Sequence, residues 1–330
     1  MRARVQREDR PSLIEFYDFH PKQEDFRSEI LAGLQKPEKT LSPKFFYDER
    51  GMELFGEICE LKEYYLTRAE MSLLKEKARA IAGFLEEDCV LIEYGCGNSE
   101  KIRLLLETAS GCKAYAAVDI AKAALLQLAA GLAQSYPELP IILMCADFLT
   151  RFELPLNGFG SLKKVAFFPG SSIGNFDPPA AVAFLQTIAK EVGKRGALLI
   201  GVDLKKDESI LHAAYNDAKG ITSRFNKNIL RRINRECGSD FDPSRFEHLA
   251  FYNALAGRIE MHLVSLEEQT VQLDGVPIRF KKGETIHTEN SYKYHREEFQ
   301  ELARRGGWEP LQCWTDPQGL MSLHFLRVTK

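Results

Sequence analysis

Residues 88–101, DCVLIEYGCGNSEK, decide the fold. A short apolar run closes on Glu93 and breaks into a turn carrying Gly95 and Gly97. A second apolar run, AYAAVD (114–119), closes on Asp119. Strand, glycine turn, helix and a strand ending in an acid describe a nucleotide-binding βαβ unit. The turn lets a cofactor approach the backbone at Gly95, and Asp119 is placed to accept hydrogen bonds from ribose hydroxyls. The third glycine of G-x-G-x-x-G, which lets a helix pack beside a pyrophosphate, falls on Glu100. That change points away from NAD and FAD and toward a nucleoside cofactor without phosphates, S-adenosylmethionine. Taken alone, the turn also fits an ordinary β-turn-α connection.

Outward from this unit, strand and helix alternate. A helical AKAALLQLAAGLAQSY follows Asp119 and stops near Pro137, and then come PIILMCADF, a loop and KKVAFFPGSSIGNF. A helix from Pro178 to about Gly193 leads into ALLIGVDL. Such alternation predicts a parallel sheet with right-handed crossovers. EPLQCWTDPQGLMSLHFLRV reads instead as two strands around a turn at Asp316–Gly319. A hairpin on the edge of a parallel sheet gives a mixed sheet. Residues 205–292 break the alternation, with a polar helical stretch followed by RIEMHLVSLEEQTVQL and IRFKKGETIHTE. Together with the N-terminal segment they predict a second lobe. The expected division is 66–204 with 293–330 for the nucleotide-binding domain, and 15–65 with 205–292 for the lobe.

The chain has 330 residues, 45% hydrophobic and 28% charged, the make-up of an ordinary soluble globular protein. A net charge of −3 offers no electrostatic reason for a nucleic-acid or membrane partner. The basic KNILRRINR (227–235) reads as a solvated helix face. No apolar run reaches the length of a transmembrane helix. MRARVQREDR (1–10) lacks the apolar region of a signal peptide. The seven cysteines are odd in number and form no C-x-x-C pair, a pattern of reduced thiols with neither disulfides nor a metal site. A cytoplasmic location is therefore expected, with the oligomeric state left open.

Ligands of an open α/β sheet lie at the carboxyl ends of its strands. Four strand ends are candidates: Glu93–Gly97, Asp119, Asp147–Phe148 and Gly170–Asn175. Asp147 offers a carboxylate to an adenine amine, and Phe148 a ring or backbone group beside the base. Lys101 stands in the opening turns of the helix after the glycines, where a cation opposes the helix dipole and calls for a compensating anion. A cofactor carboxylate meets that need, and so does simple exposure of the side chain to solvent.

FYDERGMELFGEICELKEYYLTRAE (46–70), EYGCGNSEKIRLLL (93–106), FFPGSSIGNF (167–176), DLKKD (203–207), AYNDAKGITSRFNKNIL (214–230), IEM (259–261) and ETIHTENSYKY (284–294) run in order along the chain. In order and spacing they resemble the histidine-specific S-adenosylmethionine-dependent methyltransferase family, whose bacterial members make hercynine, the precursor of ergothioneine. The resemblance implies a class I methyltransferase domain, with a Rossmann-like mixed sheet, and a substrate-binding lobe. It implies that Gly95, Lys101, Asp119, Asp147 and Phe148 hold the cofactor. It places Tyr64, Asn175, Tyr215, Glu289 and Ser291 around a free amino acid, Tyr47 near the reacting amine and Met261 against the side chain. Tyr47 and Asn175 are the implied catalytic pair.

Each implied role has a physical reading. Asn175 carries a carbonyl and an NH₂, so it can meet an amine and a carboxylate together. Tyr215 offers a phenol to the same carboxylate. Glu289 and Ser291 are two apart, so an extended segment points both to one side, where they suit the two nitrogens of an imidazole. Without the resemblance, these residues also read as a turn Asn, core aromatics and a solvated strand face. The family's prolines near Tyr64 and Tyr65 are replaced here by Lys62 and Leu66, and its usual turn serine by Cys96.

The expected reaction is methyl transfer from S-adenosylmethionine to the α-amine of free L-histidine, repeated to the trimethylated product hercynine. Another free amino acid, such as a tryptophan derivative, is the alternative acceptor; the carboxylate at 289 disfavours it. From a different class come a macromolecule-modifying methyltransferase and a non-catalytic cofactor-binding module. The absence of a basic stripe and of an aromatic platform argues against RNA.

Overall fold

The computed structural model describes residues 13–19, 23–85, 88–97, 99–109, 111–149, 153–156, 158–159 and 161–329. The segment MRARVQREDR lies outside them. Cys89–Tyr94 forms a strand buried along its whole length, as a continuous apolar run covered on both faces should be. It pairs in parallel with Cys112–Asp119 on one side and Lys163–Phe168 on the other. Among the described residues its sheet has eight strands, in the order Ile14–Asp18, Ile141–Cys145, Cys112–Asp119, Cys89–Tyr94, Lys163–Phe168, Ala197–Asp203, Met321–Val328, Trp308–Thr315.

Numbering the last seven of these along the chain gives the spatial order third, second, first, fourth, fifth, seventh, sixth. The seventh runs antiparallel to its neighbours on both sides. This is the mixed, Rossmann-like class I methyltransferase arrangement. The chain order reverses between Cys89–Tyr94 and Lys163–Phe168, which makes the carboxyl ends of those strands the switch point where ligands enter such sheets. Helices Glu100–Thr108, Lys122–Ser135 and Pro178–Val192 make the crossovers. The C-terminal hairpin turns where Asp316 accepts the Met321 and Gln318 amides.

The chain divides into two compact units. One holds 13–19 with the described parts of Leu66–Leu204 and Tyr294–Lys330; the other holds the described parts of Pro21–Tyr65 and Lys205–Lys293. Two expected boundaries need correction. Ile14–Asp18, assigned above to the lobe from residue 15 onward, pairs residue for residue with Ile141–Cys145 and joins the large sheet. Its physical role is to cover an edge that would otherwise present unpaired backbone groups. At the other boundary, Lys293 stays with the second unit because its amide donates to Gly257, at 2.9 Å. The next residue, Tyr294, donates to Asp203 of the large sheet at 3.1 Å.

The second unit is built on a four-stranded sheet in the order Lys39–Thr40, Thr285–Tyr292, Arg258–Ser265, Phe246–Asn253. Helix Glu49–Cys59 buries Leu54 and Ile58, and helix Ile221–Cys237 buries Phe225, Ile229, Leu230 and Ile233. The FYDERG stretch is a local clamp. Asp48 caps the first helix by accepting the Gly51 amide at 2.8 Å, and it also takes Asn228 Nδ2 at 2.8 Å and Arg235 at 2.7 Å. A Cβ on Gly51 would lie 1.7 Å from the Phe46 carbonyl oxygen, so only glycine fits there. In the basic run 227–235, Arg231 and Arg235 are exposed as expected, whereas Arg232 turns inward to donate to the Phe45 carbonyl; Arg235 is paired with Asp48 and Glu236.

Candidate active site

In the first unit, the strand ends at the switch point carry the expected residues. Gly95 and Gly97 both adopt positive φ, +74° and +44°, where a side chain is strained. A Cβ on Gly95 would come no nearer than 4.0 Å, to the Phe148 ring, so the turn and Asp147–Phe148 face one space. Asp119 points back over the turn: one carboxylate oxygen accepts the Cys96 amide at 3.0 Å, the other the Ala121 amide at 2.8 Å. Cys96 Sγ also lies 3.5 Å from Asp119, a contact that the family's serine would make as a stronger donor. Asp147 accepts the Leu149 amide at 2.9 Å, and the Phe148 ring packs against Tyr94, Phe168 and Phe184. Asn175 ends a short 3₁₀ turn, Ser172–Asn175, that follows Ser171 in the left-handed region.

Two buried carboxylates shape this site, Glu93 at a candidate strand end and Glu70, which was not among the expected residues. Glu93 is fully buried and accepts from the Tyr115 phenol, yet its Oε1 has no hydrogen-bond partner among the described residues. Burial pushes Glu93 up to about 8, against the pull of Tyr115 and Lys101. Glu70 is also fully buried and accepts the Gly170 amide on both oxygens at 2.9 Å. It forms an ion pair with Lys101, so the anion that Lys101 calls for is supplied by the protein itself. Glu70 was legible only as an acid on the apolar stripe of its helix, in step with Leu66, Leu73 and Leu74.

The second unit gathers the other expected residues. Glu289 stands directly opposite Met261 across two antiparallel strands, and Ser291 opposite Ile259. The period of two puts Glu289, Ser291 and Lys293 on one face. Tyr215 donates its phenol to Ser291 Oγ at 2.8 Å. Lys293, fully buried and absent from the expected set, donates to Ser291 Oγ at 2.7 Å and to the Tyr215 oxygen at 3.2 Å. Loss of solvent raises Glu289 to about 7, with Lys293 pulling the other way. Burial raises the Tyr64 phenol well above its ordinary value, and Tyr215, Tyr47 and Glu289 are near enough to add to it. The Tyr47 ring meets Phe55 and Phe225 edge-on, and Phe55 meets Tyr64. Leu66, replacing the second proline, is the second residue of helix Tyr65–Leu85, where proline's missing amide would also cost nothing.

The opposite face of the same strands holds Glu260, His262 and His287, whose ligand-capable atoms lie within 4.8 Å of one another. The two imidazoles stack at 4.6 Å. Although burial works to raise Glu260, Arg258, Asn253 and His262 hold it down to about 2. Arg258 is thus the cation this carboxylate already takes.

A family model described as histidine-specific methyltransferase, SAM-dependent, matches residues 26–328. The chain belongs to that family. Histidine N-alpha-methyltransferase of Mycolicibacterium smegmatis is 36% identical over 302 residues, covering 90% of this chain and 92% of that one. Ergothioneine biosynthesis protein 1 of Schizosaccharomyces pombe is 32% identical, over 85% of this chain and 38% of that larger protein. 4-Dimethylallyltryptophan N-methyltransferase of Claviceps purpurea is 26% identical, over 91% and 94% respectively. The family is S-adenosylmethionine-dependent, and the orphaned, buried Glu93 oxygen beside an open glycine turn suits a ligand carrying an amine and no phosphate.

The raised Glu93 predicts an inverse pH dependence of stability in this histidine-specific methyltransferase. Between the ordinary carboxyl value of 4.5 and about 8, the folded chain keeps a proton that the unfolded chain has lost. Stability therefore falls as pH rises through that window. In urea unfolding of the ligand-free protein, Glu93→Gln should gain on wild type steadily from pH 5 to pH 8. A difference that stays constant across that range would contradict the assignment.

Proposed function

We propose that this protein transfers the methyl group of S-adenosylmethionine to the α-amine of free L-histidine, and repeats the transfer to give hercynine. The observation that carries the substrate choice is the pairing of a partly buried carboxylate, Glu289, with the buried Ser291 hydroxyl on one face of one strand. An imidazole has two ring nitrogens to meet them; an indole has a single N–H and leaves Ser291 unmatched. Desolvated polar groups left unpaired are costly, which makes such a site reject the wrong ring. The same pairing disfavours a tryptophan derivative, the acceptor named for the Claviceps relative. A free amino acid in the cytosol is the proposed partner. The chain's net charge of −3 gives no support to a nucleic acid.

When bound, S-adenosylmethionine supplies a methyl group on an already activated sulfonium leaving group. Gly95, Asp119, Asp147 and Phe148 are assigned to hold its nucleoside, with Asp119 accepting the ribose hydroxyls. Glu93 and Lys101, the latter steadied by Glu70, are assigned to its amino-acid end. Asn175 and Tyr47 are assigned to orient the substrate amine, which must be unprotonated to use its lone pair. The remaining task is alignment, with amine and methyl about 3–3.5 Å apart. Tyr64 lines the substrate position, Met261 packs against the ring, and Tyr215 acts through Ser291. One amine proton is released to water before each transfer, and each further round presents a bulkier amine that needs more apolar room.

Asp119→Ala should cost about 2–3 kcal/mol of S-adenosylmethionine affinity, the scale of lost charge-assisted hydrogen bonds. Calorimetry on the folded variant measures it, and unchanged affinity would remove the ribose assignment. Glu289→Ala should lower kcat/KM for histidine about tenfold to a hundredfold, the worth of one charge-assisted bond. It should also shift competition between histidine and tryptophan toward tryptophan at saturating cofactor. If the preference for histidine is unaltered, the ring is read somewhere else.

A further inference from the structure

Ser291 Oγ has two lone pairs and one hydrogen to use. Lys293 has only donors, so its 2.7 Å contact fixes the direction of one bond: the ammonium donates and Ser291 accepts. Its 3.2 Å contact with Tyr215 likewise makes the phenol oxygen an acceptor. Between the two hydroxyls, 2.8 Å apart, the phenol is the stronger acid and donates to the serine. Both lone pairs of Ser291 are then taken, and its hydrogen is left to point outward as a donor. Two residues along the strand, on the same face, Glu289 offers only acceptors when ionised. Lys293 and Tyr64 interact electrostatically with Glu289.

We propose that Lys293 is a specificity-determining positioning residue: with Tyr215 it turns Ser291 into a hydrogen-bond donor beside the Glu289 acceptor, so that the site selects a neutral imidazole in one tautomer. This rests on the histidine reading above and extends it. An imidazolium, with two N–H groups, meets donor against donor at Ser291. A single neutral tautomer satisfies both partners, its N–H on Glu289 and its bare nitrogen on Ser291. The buried ammonium also balances the Glu289 carboxylate, so acceptor and donor are maintained by one side chain.

The test is nitrogen NMR of ring-¹⁵N-labelled histidine bound to the full chain with S-adenosylhomocysteine at pH 7. In wild type, one ring nitrogen should be protonated and the other bare, without the tautomer averaging of free histidine. In Lys293→Met, Ser291 regains a lone pair and the countercharge is gone, so both ring nitrogens should be protonated. KM for histidine should rise about tenfold or more, the scale of a lost charged hydrogen bond, with kcat less affected. Lys293→Arg keeps the donors and the charge and should keep the neutral ring. Two protonated nitrogens in wild type would overturn the proposal, as would a Lys293→Met spectrum identical to wild type. If Lys293→Met does not fold, the wild-type spectrum decides alone. Failure of histidine to bind wild type at all would instead strike the histidine reading itself.

Discussion

A buried carboxylate is the constraint on which the first unit's site depends. Glu70 has no solvent, and a charge in that position is tolerated only when it is paired and hydrogen-bonded. It meets that demand by taking the Gly170 amide on both oxygens and pairing with Lys101. A Cβ on Gly201 would lie 1.9 Å from its Oε1, so a neighbouring strand must carry glycine to make room. One side chain thereby joins the helix that enters the sheet, the helix after the glycine turn and the loop that ends at Asn175. Removing either partner of such a pair leaves an uncompensated charge, so these elements are held together as a set.

The second unit solves its problem along a single strand. Thr285–Tyr292 and the residue after it present Glu289, Ser291 and Lys293 in steps of two, a carboxylate, a hydroxyl and an ammonium in a row. A bulge between His287 and Glu289 resets the register ahead of this row. Met261 faces Glu289 from the neighbouring strand, while Glu260 and His262, one residue either side of it, point to the other face and pair among themselves. Strand alternation thus separates the Glu289 row from the Glu260–His262 pair using adjacent residues.

Much of this was legible in the sequence for identifiable reasons. The glycine turn, Asp119 and the missing third glycine are local signals, and the spacing of Glu289 and Ser291 follows from the period of a strand. What could not be read was long-range. Ile14–Asp18 gives no sign that its partner is Ile141–Cys145, more than a hundred residues on. The anion beside Lys101 comes from Glu70, on an earlier helix. Lys293 looked like the first residue of the returning domain, and only its contacts with Tyr215 and Ser291 place it in the second unit's polar centre. In each case the deciding partner is distant along the chain and its charge or edge is hidden by folding.

The central claim is that free histidine is the methyl acceptor. Purified protein incubated with S-adenosylmethionine and a panel of the twenty amino acids, read by mass spectrometry, tests it most directly. Successive methyl additions on histidine, ending at the trimethylated product, are predicted, with the other amino acids unmodified. Methylation of tryptophan with histidine untouched, or transfer to none of the twenty, would contradict it.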